Sequence, residues 1–112
     1  MRLALASTIL LVTIGAAQAD RKPLVGDQVR LTTSFPGCTD SGVEGKMLTL
    51  FAKKDEDAAM AVFRAYADKC EIIAGSSEGP AEDVSFMIDA TCVRPKGKPD
   101  CYWLPNETLE RK

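Results

Sequence analysis

The chain has 112 residues, 14 basic and 16 acidic side chains and a formal net charge of −2. That balance excludes the strong basic excess of a nucleic-acid binder and gives no attraction to an anionic membrane surface. Histidine is absent, which removes Ser-His-Asp and Cys-His catalysis together with the commonest zinc and haem ligands.

The chain opens with Arg2, an uncharged apolar run from Leu3 to Ala17, and Ala17-Gln18-Ala19. Those small residues stand where signal peptidase cuts. The run is too short for a stable membrane span, and no later segment serves as one. The expectation is a leader over 1–19, removed after Ala19, and a single domain over 20–112. The mature chain then has 112 minus 19, or 93, residues, and losing Arg2 leaves 13 basic against 16 acidic residues. Export to the periplasm or medium of a Gram-negative bacterium is expected, where thiols oxidise.

Four cysteines stand at 38, 70, 92 and 101. None forms a C-x-x-C pair, so neither a short-spaced four-cysteine zinc site nor a thioredoxin-type redox motif is present. Three pairings are possible. Cys38–Cys70 and Cys92–Cys101 are preferred, because each brackets a segment expected to fold back on itself. Each bond is worth roughly 2–4 kcal/mol, on a domain expected to hold ~5–10 kcal/mol. They are read as structural, not redox-active, bonds.

Gln28–Thr32 alternates polar and apolar residues, the pattern of a half-buried strand. Ser34-Phe35-Pro36-Gly37 carries turn chemistry. Ser41 and Glu44 fit a capping box, opening a helix with Val43, Met47, Leu50 and Phe51 on one side. Gly42 and Gly45 weaken its first turn, and 47–51 also reads as a strand. A second helix starts at an Asp55 cap, with Glu56 and Asp57 at the positive end of its dipole. Ala59, Val62, Phe63 and Tyr66 form its apolar stripe. The short link at 53–55 makes the two helices a hairpin.

Cys70–Ile73 returns to extended chain, and Gly75–Glu82 reads as a loop. From Val84 to Val93 the alternation predicts one long strand, with Val84, Phe86, Ile88, Ala90 and Cys92 inward. Pro95–Pro99 is a turn, and Cys101–Leu104 a returning strand. Pro105–Leu109 closes the domain with a turn and an apolar anchor.

The stretch Cys101-Tyr102-Trp103-Leu104-Pro105-Asn106-Glu107-Thr108-Leu109 resembles the closing segment of bacterial SH3-like domains. Cys92-Val93-Arg94-Pro95 looks like the preceding hairpin. The upstream part, with Cys38, a helical pair and Cys70, is similar to small exported bacterial proteins carrying helices after the first barrel strand. The resemblance spans roughly 29–109, with its specific motifs in the last twenty residues. It implies an α+β fold: a small SH3-like β-barrel, or barrel-like antiparallel sheet, with an inserted helical hairpin. It also implies binding or scaffolding at the envelope without catalysis.

Several residues are candidates for that work. Tyr102 and Trp103 form either an aromatic platform for a peptide or glycan strand or a core plug beside the disulfide. Arg94, Lys96 and Lys98 are the one local basic cluster; they either touch an anionic partner or solvate a hairpin tip. Asp55, Glu56 and Asp57 are explained by the helix start. They do not face each other across a cleft as glycosidase carboxylates do. Ser76-Ser77 lacks a histidine base. Asn106-Glu107-Thr108 satisfies a glycosylation sequon and is read as a helical-turn cap.

The expected function is therefore a non-enzymatic envelope module recognising a protein, peptide or cell-wall component, without metal or cofactor. Two further possibilities are an inhibitor of a hydrolytic enzyme, presenting the 75–82 loop or 95–99 turn, and a small carboxylate-based hydrolase.

Overall fold

The computed structural model describes residues 22–112, so the expected leader over 1–19 lies outside the described residues. Among the described residues there are seven strands and two α-helices. They follow the order β1 (Gln28–Leu31), β2 (Phe35–Cys38), α1 (Ser41–Ala52), α2 (Glu56–Ala65), β3 (Cys70–Ile73), β4 (Glu78–Ser85), β5 (Ala90–Val93) and β6 (Tyr102–Pro105). A 3-10 turn (Asn106–Thr108) then leads to β7 (Leu109–Arg111). The strands form one sheet in the order β3-β2-β6-β5-β4-β1-β7, and every pairing is antiparallel.

The sheet is open, which corrects the expectation of a closed barrel. β6 is already paired to β5 on one side and β2 on the other. It has no free edge to offer the β1–β7 end, so β2 and β3 extend the sheet.

Alternation drives β1 as expected: Val29 and Leu31 are buried while Gln28 and Arg30 face water. They join Ile73, Val93, Tyr102 and Leu104 in the main core, with Phe35 and Leu109 packed against it. Each such aliphatic side chain contributes about 1.5–3 kcal/mol on full burial.

The predicted 34–37 turn is instead strand β2. Its glycine serves close approach: a Cβ on Gly37 would stand 3.1 Å from Ile73 and Leu104 side-chain carbons and 3.2 Å from Tyr102. Composition alone mistakes that packing requirement for turn chemistry.

The first helix starts one residue earlier than its capping box implied. Asp40 is the N-cap, and its carboxylate accepts the Val43 amide at 3.0 Å. Glu44 is thereby not a capping partner; its side chain is fully buried. In α2 the Asp55 cap accepts the Ala58 amide at 3.2 Å. The α2 stripe behaves as expected: Ala59 is buried, while Val62, Phe63 and Tyr66 join Phe51 in packing on Val43, Met47, Cys38 and Cys70.

Both preferred disulfides form, Cys38–Cys70 across 32 residues and Cys92–Cys101 across 9. Among the described residues no helix is long and apolar enough to cross a membrane. The two bonds fit an oxidising compartment.

Residues 78–82 of the expected loop belong to strand β4. Gly79 makes this possible, because it lies flat against the Arg94 carbonyl, where a Cβ would come within 1.9 Å of the oxygen. The expected long strand over 84–93 breaks instead at 86–89, turning between β4 and β5.

Candidate functional site

The turn between β4 and β5 consists of Phe86, Met87, Ile88 and Asp89. Asp89 takes a positive φ of 52°, a conformation that a short polar side chain tolerates and β-branched residues resist. This reverses the chain after Ser85, so Phe86 points out of the molecule and not into the sheet. Phe86 is 91% and Met87 97% exposed, the most exposed large apolar side chains among the described residues.

Asn106 pins this tip from beneath. Its backbone N–H donates to the Asp89 carbonyl at 3.0 Å, and its Nδ2 donates to Asp89 Oδ1 at 2.9 Å. Its Oδ1 accepts the hydroxyl of buried Thr91. Lys22 Nζ adds a 2.9 Å ion pair to the same Asp89 oxygen. These bonds, Lys22 first and Asn106 second, hold the Asp89 carboxyl below its ordinary pKa. The expected turn-cap role of Asn106 is therefore replaced by one in the neighbouring hairpin. The 3-10 turn itself has no side-chain cap bond at its start.

Ile88 turns the other way and packs on the cluster of Ala90, Cys92 and Trp103, with Leu48. Beside it lies a recess of about 300 Å³, lined by Phe35, Leu48, Phe51, Ala52, Ile88 and Pro105, with Asp89 and Glu107 also on its wall. Phe35 and Phe51 stack obliquely within it, ring centroids 5.5 Å apart. A protruding apolar tip and a recess of mixed polarity therefore share Ile88.

The sequence-predicted residues lie elsewhere. Tyr102 and Trp103 are each only 8% exposed. Both serve the core, so neither forms an open platform. The Tyr102 hydroxyl donates to Glu71 Oε2 at 3.3 Å, and its pKa is raised chiefly by burial. Arg94 grips Glu82 through Nε at 2.8 Å and Nη2 at 3.0 Å. Lys98 is ion-paired with Glu71; that bond raises the pKa of Lys98.

Lys96 is exposed and makes no ion pair among the described residues. The three cations do line one shallow groove of about 600 Å³, with Ser76, Ser77 and Glu78. Two of them are already neutralised by internal partners, which leaves little net charge for an anion. Asp55, Glu56 and Asp57 stay at the exposed start of α2. Among the described residues no group of three or more potential ligands could hold a metal ion.

Sequence reasoning missed the tip because Phe86 and Ile88 continue the alternation of Val84 and Ala90. The available signal was Asp89, a residue able to adopt positive φ, within a predicted strand of unusual length. It also missed Glu44, because its spacing from Ser41 fits a capping box, which assigns the carboxylate to the helix's own first backbone amides.

Comparison with protein-family models, with curated proteins and with solved structures yields no match for this chain.

Proposed function

We propose that this chain is an exported, non-enzymatic binding module that contacts a protein partner through the Phe86–Met87 tip. The observation that carries the proposal is the near-complete exposure of two large apolar side chains on a turn pinned by Asn106. Adjacent, fully exposed large apolar residues mark contact sites. Holding them in place beforehand lowers the ordering cost of association. The expected aromatic contact of the module moves from Tyr102 and Trp103 to this tip.

The fold reading is an SH3-like unit carrying an insertion. The run β7-β1-β4-β5-β6 and the 3-10 turn before the last strand support the SH3-like part. β2, the helical hairpin and β3 form the insertion, tied at its base by Cys38–Cys70. A periplasmic or secreted location rests on the two disulfides and the leader-like first nineteen residues. No cofactor is invoked, and neither nucleic acid nor a lipid bilayer is a proposed partner. Peptides and cell-wall components are less well supported than a folded protein, since the basic groove is internally paired.

A second version of the same reading is inhibition of a hydrolytic enzyme. The protruding tip favours it, as an apolar knob suits a substrate cleft. The 75–82 segment, largely within β4, does not.

The test is photo-crosslinking from position 87 in the protein's own envelope, with mass-spectrometric identification. Capture of a defined protein, lost in Phe86→Ser, supports the proposal. A hydrolase as the captured protein selects the inhibitor version. No capture, or capture unaffected by Phe86→Ser, overturns it.

A further inference from the structure

Four cysteines, four methionines and one tryptophan are the side chains of this chain most open to oxidation. The fold withdraws nearly all of them. The cysteines are tied up in two disulfides and none is free, so no thiolate competes for an oxidant. Met47 is fully buried, and Trp103 lies in the core. Met60 is half-buried on α2. Met1 lies outside the described residues, in the expected leader. Met87 is the one such side chain among the described residues that stands free in water, 97% exposed.

Its place in the fold matters as much as its exposure. The exposed large apolar side chains among the described residues are Leu24, Val25, Ile72, Phe86 and Met87. Of these, only Met87 carries an atom that a two-electron oxidant attacks readily. It follows Phe86 on the turn that Asn106 pins. The accessible sulfur and the contact tip therefore coincide.

We propose that Met87 is an oxidation site, and that its conversion to the sulfoxide by a peroxide-class oxidant switches off protein contact at the Phe86–Met87 tip. The proposal rests on the reading of that tip as a contact element and adds its regulation.

The step balances with hydrogen peroxide as the only co-reactant. A lone pair on Met87 Sδ attacks one peroxide oxygen, an S–O bond forms and the O–O bond breaks. The proton of the transferred oxygen passes to the departing one, which leaves as water. Sulfur loses two electrons and peroxide gains them. The sulfoxide is the reversible rung of methionine oxidation. A methionine sulfoxide reductase restores the thioether with two thiols, which become a disulfide as the oxygen leaves as water.

The modification acts on contact and not on the fold. In the isolated chain the new oxygen stays hydrated. The bonds that hold the turn run from Asn106 to Asp89 and Thr91 and do not involve the Met87 side chain. Against a partner, the same oxygen must leave water where a thioether needed no donor. A polar group buried without one weakens association roughly tenfold or more.

The experiment treats the full chain, expressed with its own leader and recovered with both disulfides formed, with a graded series of hydrogen peroxide. Peptide mass mapping is expected to show one oxygen added at Met87 about fivefold or more faster than at Met60, with Met47 and Trp103 unmodified. Thermal unfolding of the singly oxidised protein is expected to match that of the untreated protein.

Capture is then read with a benzophenone crosslinker replacing Phe86, which keeps an aromatic ring at the tip. Oxidation is expected to lower capture of the envelope partner roughly tenfold, and sulfoxide reductase to restore it. The same loss in Met60→Leu, a substitution of similar volume away from the tip, assigns it to Met87. Equal oxidation of Met60 and Met87, or a loss that the reductase does not reverse, overturns the proposal. Capture indifferent to the sulfoxide overturns it too, and leaves the binding-module reading standing. No capture even before peroxide overturns both.

Discussion

Cys38 and Trp103 face each other as the one register pair joining β2 to β6. Trp103 is also the register partner of Cys92 on its other side. Trp103 therefore lies between a half-cystine of each disulfide. The attachment of the β2–α1–α2–β3 segment to the rest of the sheet converges on this point. Backbone pairing there is minimal and neither disulfide crosses the junction, so packing carries the attachment.

The two disulfides should differ in weight. In the chain-entropy model, a bond across 32 residues contributes about 4 kcal/mol and one across 9 residues about 3 kcal/mol. Paired alanine replacement of Cys38 and Cys70 is expected to lower the denaturant midpoint more than replacement of Cys92 and Cys101. Equal losses, or the reverse order, would show that native-state packing dominates over loop closure.

Glu44 sets a pH dependence. Its carboxyl is fully buried and neither oxygen has a hydrogen-bond partner among the described residues. Loss of hydration pushes its pKa up to about 9, against a smaller opposing influence from the Cys38 backbone. The folded protein thus holds a proton that the unfolded chain releases near pH 4.5. The contribution of this group to stability is complete below pH 4.5 and declines steadily up to pH 9. Between pH 4.5 and 7 the decline is on the order of 3 kcal/mol. Glu44→Gln keeps the shape and removes the titration. Its urea midpoint is expected to match wild type at pH 4 and exceed it at pH 7; identical curves at both would refute the assignment.

Asn106 holds the tip. Asn106→Ala removes its side-chain bond to the Asp89 carboxylate and leaves the buried Thr91 hydroxyl without this acceptor, a loss of about 1–3 kcal/mol. Amide exchange should accelerate over 86–90 and stay unchanged in α2. Uniform acceleration across the domain would instead mean that Asn106 supports global stability alone.

Phe86→Ser and Met87→Ser should leave the melting temperature of dilute protein nearly unchanged, within about 0.5 kcal/mol of stability, because both side chains are solvated in the isolated chain. Ile88→Ser, two residues away from Phe86, is expected to destabilise clearly, since it packs against Trp103 and Cys92. Calorimetry at low concentration separates the three.

Gly79→Ala tests the start of β4. The new Cβ would meet the Arg94 carbonyl oxygen at 1.9 Å, and backbone cannot move aside as a flexible side chain does. A loss near the upper end of overpacking costs, about 3 kcal/mol, is expected. A soluble, wild-type-like variant would show that this strand pair tolerates separation.

Local patterns carried much of the fold. The α2 stripe and its Asp55 cap, the alternation of β1, the extended chain at Cys70–Ile73 and the cysteine pairing were all legible, because each depends on residues near in sequence or on spacing alone. The turn at 86–89 and strand β2 were not. Phe86 follows the same alternation as the buried positions around it, and Pro36-Gly37 reads as a turn unless Ile73, Leu104 and Tyr102 are already in place around it. Tyr102 and Trp103 remained ambiguous for a related reason: composition does not say which face of β6 has neighbours.

Residue order was thus sufficient for the helices, the staples and the α+β class, since short-range periodicity and thiol spacing encode them. Which apolar side chains are left in water, and which carboxyl is taken out of it, emerged only when distant strands came together. Solvent exposure is a property of the assembled neighbourhood. Phe86 and Glu44, one apolar and outside and the other acidic and inside, both follow from contacts that no stretch of local sequence contains.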